Sequence, residues 1–185
     1  MPHTNIDIMT TIKGLQNKYY NIHNKNNFFK KSQKYECASL VTDHVGIDTL
    51  LNKCIFVFDN NKIFIDYFIF KTFANPDNFF DISQFLARTI NECIYKSKQF
   101  EIHINLNSLS ISAVERYRLI ISEFAEHGQN NNYDKYLTKL ELYNTPYFIN
   151  ATSNILSSFI SPKIKNMVNF YTKIDSETIL QSLFS

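Results

Sequence analysis

Residues 144–171 read N-T-P-Y-F-I-N-A-T-S-N-I-L-S-S-F-I-S-P-K-I-K-N-M-V-N-F-Y. They follow an alternating apolar run, Leu137–Tyr143, which predicts a strand. Pro146 has no backbone N–H and fixes its own φ, so the strand has to end before it and a helix can begin. The apolar residues of that predicted helix fall partly at helical spacing, and they are Tyr147, Phe148, Ile155, Leu156, Phe159 and Ile160. Ser161 and Pro162 then end the helix and open a second short one, since proline is tolerated in a first turn.

A second informative stretch, residues 100–112, reads F-E-I-H-I-N-L-N-S-L-S-I-S. Its alternation predicts a central strand over residues 100–107, with one face formed by Phe100, Ile102, Ile104 and Leu106. His103 alternates with these apolar residues. We expect it to lie under helices and to be satisfied there by a hydrogen bond, because a buried polar group without one is costly.

Taken in the order in which they occur in the chain, residues 100–112 and then 144–171, the two stretches resemble the C-terminal half of CRAL-TRIO lipid-binding domains. The shared features are a strand, an N-x-P-aromatic step, a helix of about four turns, F-x-S-P, K-x-K and a β-rich run. The family's central strand usually ends D-L-x-G-hydrophobic-S, and Asn105 and Ser108 stand here in place of Asp and Gly. The resemblance covers residues 100–171. It implies an α/β fold, with a mostly parallel central sheet flanked by helices and a gate-like helix over a lipid pocket.

Length, charge and cysteine usage exclude several other classes of protein. A chain of 185 residues can form one domain with a substantial core, and a formal net charge of +2 is too small to predict a nucleic-acid partner. The three cysteines lack C-x-x-C spacing, and neither a secretory signal nor an apolar run long enough to span a membrane is visible. We therefore expect a cytoplasmic protein with reduced thiols, at most peripheral to membranes. Abundant Asn, Ile, Lys, Phe and Tyr favour an AT-rich genome, as in some giant viruses or protozoa.

The rest of the chain predicts one α/β domain behind an N-terminal segment. Residues 1–35 would form an amphipathic helix (5–22) and a basic connector, and residues 36–185 the CRAL-TRIO-like domain. Two β-rich runs joined by a polar turn predict a hairpin, followed by a helix, the central strand and a second helix. A last strand and a terminal helix complete the sheet. The predicted bounds are 54–58 and 62–70 for the two runs of the hairpin, 78–95 and 112–126 for the two helices, 167–172 for the last strand and 176–184 for the terminal helix.

No set of residues predicts catalysis or metal binding. The sequence lacks a G-x-S-x-G elbow, its five histidines lack metal-ligand spacing, and three glycines cannot build a phosphate loop. We therefore predict a protein that is not an enzyme and has no catalytic residue, metal or cofactor.

A lipid pocket instead needs a continuous apolar wall with few polar groups. The predicted ligand-binding residues are Phe100, Ile102, Ile104 and Leu106 on the central strand, and Tyr147, Phe148, Ile155, Leu156, Phe159 and Ile160 on the gate-like helix. The same residues could equally form an ordinary solid core. Lys163 and Lys165 are predicted to contact a membrane or lipid headgroup at the mouth of the pocket.

The headgroup positions of known members constrain the ligand. Phosphoinositide binders carry an acid in a P-E-R triplet before the strand and a lysine after the S-P helix. The aligned residues here are Asp134-Lys135-Tyr136 and Met167, and choline binders carry small hydroxylated residues where this chain has Phe100 and Ile102. A less polar ligand, such as an isoprenoid, a sterol or a fatty acid, or else a collapsed pocket, is favoured.

Two hypotheses follow. In the first, a hydrophobic ligand binds under the helix 147–160 and is exchanged at a transiently contacted membrane surface. In the second, the fold is a ligand-free interaction or structural module, such as a homodimer formed through the helix 5–22.

Overall fold

The computed structural model describes residues 3–24, 30–151 and 162–184. Its helices are α1 (His3–His23), α2 (Lys30–Val45), α3 (Ile47–Cys54), α4 (Tyr67–Phe73), α5 (Phe79–Ser97), α6 (Ile111–Arg116), α7 (Arg118–Asn130), α8 (Tyr147–Ala151), α9 (Pro162–Lys165) and α10 (Lys173–Leu183). Its strands are β1 (Ile55–Phe58), β2 (Lys62–Asp66), β3 (Phe100–Asn105), β4 (Leu137–Tyr143) and β5 (Val168–Phe170). Short 3-10 turns lie at Pro76–Asn78 and Tyr133–Lys135.

The five strands form one sheet in the order β1-β2-β3-β4-β5. The first two strands pair antiparallel as the predicted hairpin, and the other neighbours pair parallel. At the hairpin turn Asp59 and Asn60 have φ values of 49° and 64°, a conformation that these two residue types tolerate. The predicted fold class, a mostly parallel sheet flanked by helices, is confirmed.

The prediction of one strand over residues 62–70 is wrong, because the strand ends at Asp66 and α4 begins at Tyr67. The Asp66 side chain accepts a hydrogen bond of 2.8 Å from the Phe68 N–H and so caps the helix. Both strand and helix bury apolar residues here, and a continuous apolar run does not distinguish the two.

The predicted helix over residues 112–126 is two helices. α6 and α7 meet at Tyr117, whose φ and ψ of −98° and 12° interrupt the helical geometry. Tyr117 is buried, so tertiary packing holds the break in place.

The N-terminal helix and most later elements lie close to their predicted bounds, whereas α2 and α3 were not predicted. Gly46 separates these two helices with φ 87°, a conformation that favours glycine. Ile12 of α1 and Val41 of α2 are fully buried in the same core cluster as Phe100, so these helices pack onto the rest of the chain. The predicted connector falls partly on residues 25–29, which lie outside the described residues. The structure does not test the predicted boundary at residue 35.

Within the described part of the chain, no helix is both long and apolar enough to cross a membrane.

Candidate functional site

An apolar cavity of about 560 Å³ lies between the sheet and the helices that cover one of its faces. Its floor consists of side chains that share that face of the three central strands. Period-two alternation brings most of them together, since every second residue of a strand points to the same side. Leu137 joins them because the pairing of β3 and β4 shifts register between Phe100 and Glu101. These floor residues are Ile65, Phe100, Ile102, Ile104, Leu106, Leu137, Leu140 and Leu142. All four residues predicted on the central strand are among them.

The roof of the cavity is built mainly by α5, α6 and α7. These helices present one apolar stripe at the spacing of three to four residues expected for an amphipathic helix. Single residues from the short helices α8 and α9 complete the described part of the roof. The roof residues are Leu86, Ile90, Ala113, Val114, Ile121, Phe124, Ala125, Gly128, Ile149 and Ile164.

Aromatic side chains line the cavity toward both ends of the parallel strands. Beyond the carboxyl end of β2, the rings of Phe70 and Tyr117 lie 4.9 Å apart in an edge-to-face contact. Near the start of β3 and β4, the rings of Phe100 and Tyr133 lie 6.1 Å apart, also edge to face. The Tyr133 hydroxyl donates a hydrogen bond of 3.1 Å to Asn91 Oδ1, which fixes the tyrosine ring. Such aromatic pairs stabilise a fixed arrangement beyond their burial.

The polar lining residues cluster at the second of these ends. Gln129, Asn132 and Asp134 line the cavity there, and Asp134 Oδ2 forms a 3.3 Å ion pair with Lys163 Nζ. The Asp134 and Lys163 side chains are 35% and 50% exposed, so the pair is solvated and contributes little to stability. Its geometric effect is to connect α9 to the turn before β4.

The CRAL/TRIO domain family matches residues 52–184, which is most of the chain. The chain belongs to the CRAL-TRIO family. Members of this family are known for lipid binding and transfer and are typically non-enzymatic. The resemblance seen in residues 100–171 is confirmed, and it extends toward the N-terminus as far as residue 52.

Among solved structures, the crystal structure of Sfh5 is similar to this chain. The sequences are 12% identical, the TM-score is 0.54, and the match covers 79% of this chain and 57% of the Sfh5 chain. Likeness at this identity shows a shared fold and not a shared ligand. No curated protein sequence matches the chain.

The residues predicted on the gate-like helix of this CRAL-TRIO domain fall into three groups. Tyr147 begins α8 and is 90% exposed. Phe148 is half-buried and packs against the small apolar cluster of Leu106, Leu142 and Ile149. The predictions for Ile155, Leu156, Phe159 and Ile160 fall on residues outside the described part of the chain.

The sequence analysis missed the contribution of Ile149 and of the α6–α7 pair to the cavity. Ile149 is 3% exposed and stands in the apolar run directly after the N-T-P step, which is the signal that could have identified it. Val114, Ile121 and Phe124 lie within the predicted helix 112–126. Their place over β3 depends on which side of the sheet the connection crosses, and helix periodicity does not specify that.

The opposite face of β3 carries a buried polar network. His103 is 4% exposed, its Nδ1 lies 2.8 Å from the Tyr143 hydroxyl, and its Nε2 lies 3.3 Å from Glu101 Oε2. Burial lowers the pKa of His103, and the nearby Glu101 partly opposes that shift. The ring of Phe184, next to the end of α10, lies 5.4 Å from that of Phe58, which in turn contacts the histidine ring. The expected hydrogen bond of His103 is therefore present, on the side of the sheet away from the cavity.

The described residues bring together no group of three or more His, Cys, Asp or Glu side chains that could hold a metal ion. The three cysteines are buried, and burial raises the pKa of the Cys37 thiol to about 11. A thiol that stays protonated is a poor nucleophile. The described lining of the cavity presents mainly apolar surface.

Proposed function

We propose that this CRAL-TRIO protein binds a hydrophobic lipid in the cavity between its sheet and α5–α7 and exchanges it at a membrane surface without chemical conversion. The cavity is the observation that carries the proposal. Its volume of about 560 Å³ lies within the range of ligand pockets, and its described lining is apolar apart from the polar cluster at one end. In a solid core, close packing leaves few voids larger than a water molecule.

Burial of a lipid chain can supply the free energy to remove it from a membrane. At about 0.8 kcal/mol for each methylene, a ~16-carbon chain gains up to ~12 kcal/mol before entropy costs. The floor residues Ile102 and Ile104 and the roof residues Ile121 and Phe124 provide the apolar contact on both sides of the chain.

The proposed exchange begins at the mouth, where the exposed Lys163 and Lys165 contact lipid phosphates. Lys163 forms a solvated ion pair with Asp134, so anionic lipid competes for it readily. Release of α9 would loosen α8, whose Ile149 lines the cavity. The proposed hinge is at residues 144–146, where Asn144 already has a positive φ of 51°. Residue 161 of a second proposed hinge at residues 161–162, and most of the helix 147–160, lie outside the described part of the chain.

The direct test is native mass spectrometry of gently purified protein, combined with transfer of labelled lipid between vesicles. We expect co-purified lipid and saturable transfer. Val114→Trp places an indole in the cavity from α6 and should abolish both. Glu115→Trp adds the same bulk at the next, exposed position and should leave both unchanged.

If no lipid co-purifies and none is transferred, the proposal is wrong and the ligand-free module remains. That alternative predicts a homodimer through α1, which light scattering would detect. Ile12, at the centre of α1, is fully buried within a single chain, so its side chain is covered before any second copy binds.

A further inference from the structure

Arg116, the last residue of α6, is a buried cation without a counter-charge from another side chain. It is 7% exposed, and its Nε–H has no hydrogen-bond partner among the described residues. None of the ion pairs formed within the described part of the chain includes it. The remaining residues, 1–2, 25–29, 152–161 and 185, include no Asp or Glu. A buried charge is strongly unfavourable unless it is paired, so the fold holds a cation that a ligand can neutralise.

The acidic residues nearest to it in sequence or across α2 are otherwise engaged. Glu115 is exposed, and Glu36 accepts hydrogen bonds of 2.5 Å from the Tyr19 hydroxyl and 2.7 Å from the Ser32 hydroxyl. The Arg116 guanidinium instead lies over an aromatic ring, with Cζ 5.6 Å from the centroid of Tyr117. The face of a ring attracts a cation, but it accepts none of the N–H groups that lie in the plane of the guanidinium.

Four tyrosines from different parts of the fold surround this charge. Tyr20 belongs to α1, Tyr35 to α2 and Tyr67 to α4, and Tyr117 is the break between α6 and α7. The Tyr35 hydroxyl donates a 2.9 Å hydrogen bond to the Arg116 carbonyl. Burial raises the pKa of each of the four hydroxyls, and the positive charge of Arg116 opposes the rise in every case. The guanidinium therefore lies among phenol groups that remain protonated at neutral pH and can donate hydrogen bonds.

We infer that the junction of α1, α2, α4 and α6 is an oxyanion site, separate from the apolar cavity, that binds the phosphate group of a small soluble compound. A guanidinium pairs with two oxygens of a carboxylate or a phosphate at once. A phosphate monoester keeps a third terminal oxygen for the tyrosine hydroxyls, whereas a carboxylate has only two. The bound group connects α1 and α2 to the helices over the sheet.

The position of the site distinguishes it from the cavity and from the proposed membrane contact. Tyr67 and Tyr117 line the cavity, whereas Arg116 is absent from its described lining. Tyr117 lies beyond the carboxyl end of β2, whereas Lys163 of α9 lies near the start of β3 and β4, about 20 Å away along a strand of six residues. A membrane that contacts α9 is thus at the other end of the sheet, which favours a soluble phosphate over a lipid headgroup.

The test is to titrate the full-length protein with inorganic phosphate at constant ionic strength and to follow its arginine Nε–H signals by NMR. The sequence has three arginines, and Arg88→Lys and Arg118→Lys, both at exposed positions, identify the Arg116 signal by elimination. We expect a saturable shift of the Arg116 signal and no saturable shift of the other two. This measurement needs no substitution at a buried residue.

A variant with the charge removed tests the same site by stability. Arg116→Met replaces the cation with an apolar side chain, and Arg118→Met removes an equal charge from an exposed position two residues away. We expect phosphate to raise the melting temperature of the wild type and of Arg118→Met by the same several degrees and to leave that of Arg116→Met unchanged. An equal rise in all three proteins would mean that phosphate acts elsewhere, and the inference would be wrong.

The other outcomes separate the possible sources of the anion. If acetate shifted the Arg116 signal at the same concentration as phosphate, the assignment to phosphate would be lost. If inorganic phosphate had no effect while flotation with phosphatidic acid vesicles depended on Arg116, the ligand would be a lipid headgroup and not a soluble compound. If no probe affected the Arg116 signal or the melting temperature, there would be no anion site. None of these results bears on lipid transfer through the cavity.

Discussion

Ser176 joins two elements of the fold through one buried hydroxyl. It is fully buried, accepts a 2.7 Å hydrogen bond from the Asn144 N–H and donates one of 2.6 Å to the Thr172 carbonyl. Asn144 is the first residue after β4 and has a left-handed backbone conformation. The hydroxyl therefore fixes the point at which the chain leaves the sheet and turns toward α8.

We expect Ser176→Ala to lower the free energy of unfolding by about 1–3 kcal/mol, because the half-buried Asn144 N–H loses its acceptor, the fully buried Ser176 hydroxyl. Urea denaturation measures this change. Thr178→Ala, at an exposed position on the same helix, serves as the control and should change stability by less than about 0.5 kcal/mol. Equal effects in the two variants would show that the Ser176 hydroxyl has no special role.

We expect His103 to make the stability of the protein depend on pH. Its pKa is lowered in the folded state, chiefly because burial disfavours the charged imidazolium. The groups around it are the Glu101 and Glu141 carboxylates, the Lys62 ammonium and the Tyr143 hydroxyl. As the pH falls through the ordinary histidine value near 6.5, the unfolded chain takes up a proton that the folded chain resists. The contribution of His103 to stability is therefore present above that pH and lost below it.

We expect the melting temperature of the wild-type protein to fall between pH 7.5 and pH 5.5. His103→Asn should show a smaller fall, because it removes the titrating group. The slope against pH, measured by differential scanning calorimetry, is the relevant quantity, since the variant also loses contacts at every pH. A variant slope as steep as that of the wild type would assign the pH dependence to other groups.

At the scale of the element, α9 connects the membrane side of the proposed mechanism to the cavity. It presents Lys163 and Lys165 to solvent while Ile164, between them, lines the cavity. Spacing in a single helical turn thus places two cations outside and one apolar side chain inside. In the proposed mechanism, α9 is therefore the element through which an anionic surface acts on the ligand.

We expect the double variant Lys163→Met and Lys165→Met to slow lipid transfer from anionic vesicles by about tenfold or more, since each lysine near such a surface contributes about 1 kcal/mol. Transfer from neutral vesicles should be unchanged. Vesicle transfer assays with and without phosphatidylserine measure the difference. Lys96→Met on α5 removes an exposed lysine that belongs to a surface pair and is the matched control. If Lys96→Met slowed transfer from anionic vesicles equally, the membrane contact would not lie at Lys163 and Lys165.

At the scale of the whole molecule, a cavity in a folded domain couples ligand binding to stability. A ligand bound only by the folded state adds about 2.7 kcal/mol when its concentration is 100 times its dissociation constant. The described lining of the cavity comes from β2, β3, β4 and the six helices α4–α9, so global unfolding removes the proposed binding site.

We expect delipidated protein to melt several degrees lower than protein reloaded with 1-hexadecanol. Differential scanning fluorimetry detects the shift. The Val114→Trp variant should melt at the same temperature with and without the alcohol, because the indole occupies the site. If the melting temperature of the wild-type protein did not change when 1-hexadecanol was added, binding in the cavity would be contradicted.

The order of strands and helices was largely predictable from sequence, because alternation and helical spacing are local patterns. Leu137–Tyr143 was predicted with its observed bounds, and the face of β3 that carries Phe100 to Leu106 followed from period-two alternation alone. The prediction failed at residues 67–70, where a continuous apolar run fits a buried strand or a buried helix equally well.

The sequence by itself determined the family, the parallel sheet and the set of apolar side chains on the central strand. Only the tertiary structure decided that α6 and α7 cover that set, that they leave a space above it, and that Lys163 pairs with Asp134 across 29 residues of sequence. The reason is physical. Which side of a sheet a connection crosses, and how completely facing side chains fill the volume between layers, depend on contacts between residues far apart in the chain, and no local pattern encodes them.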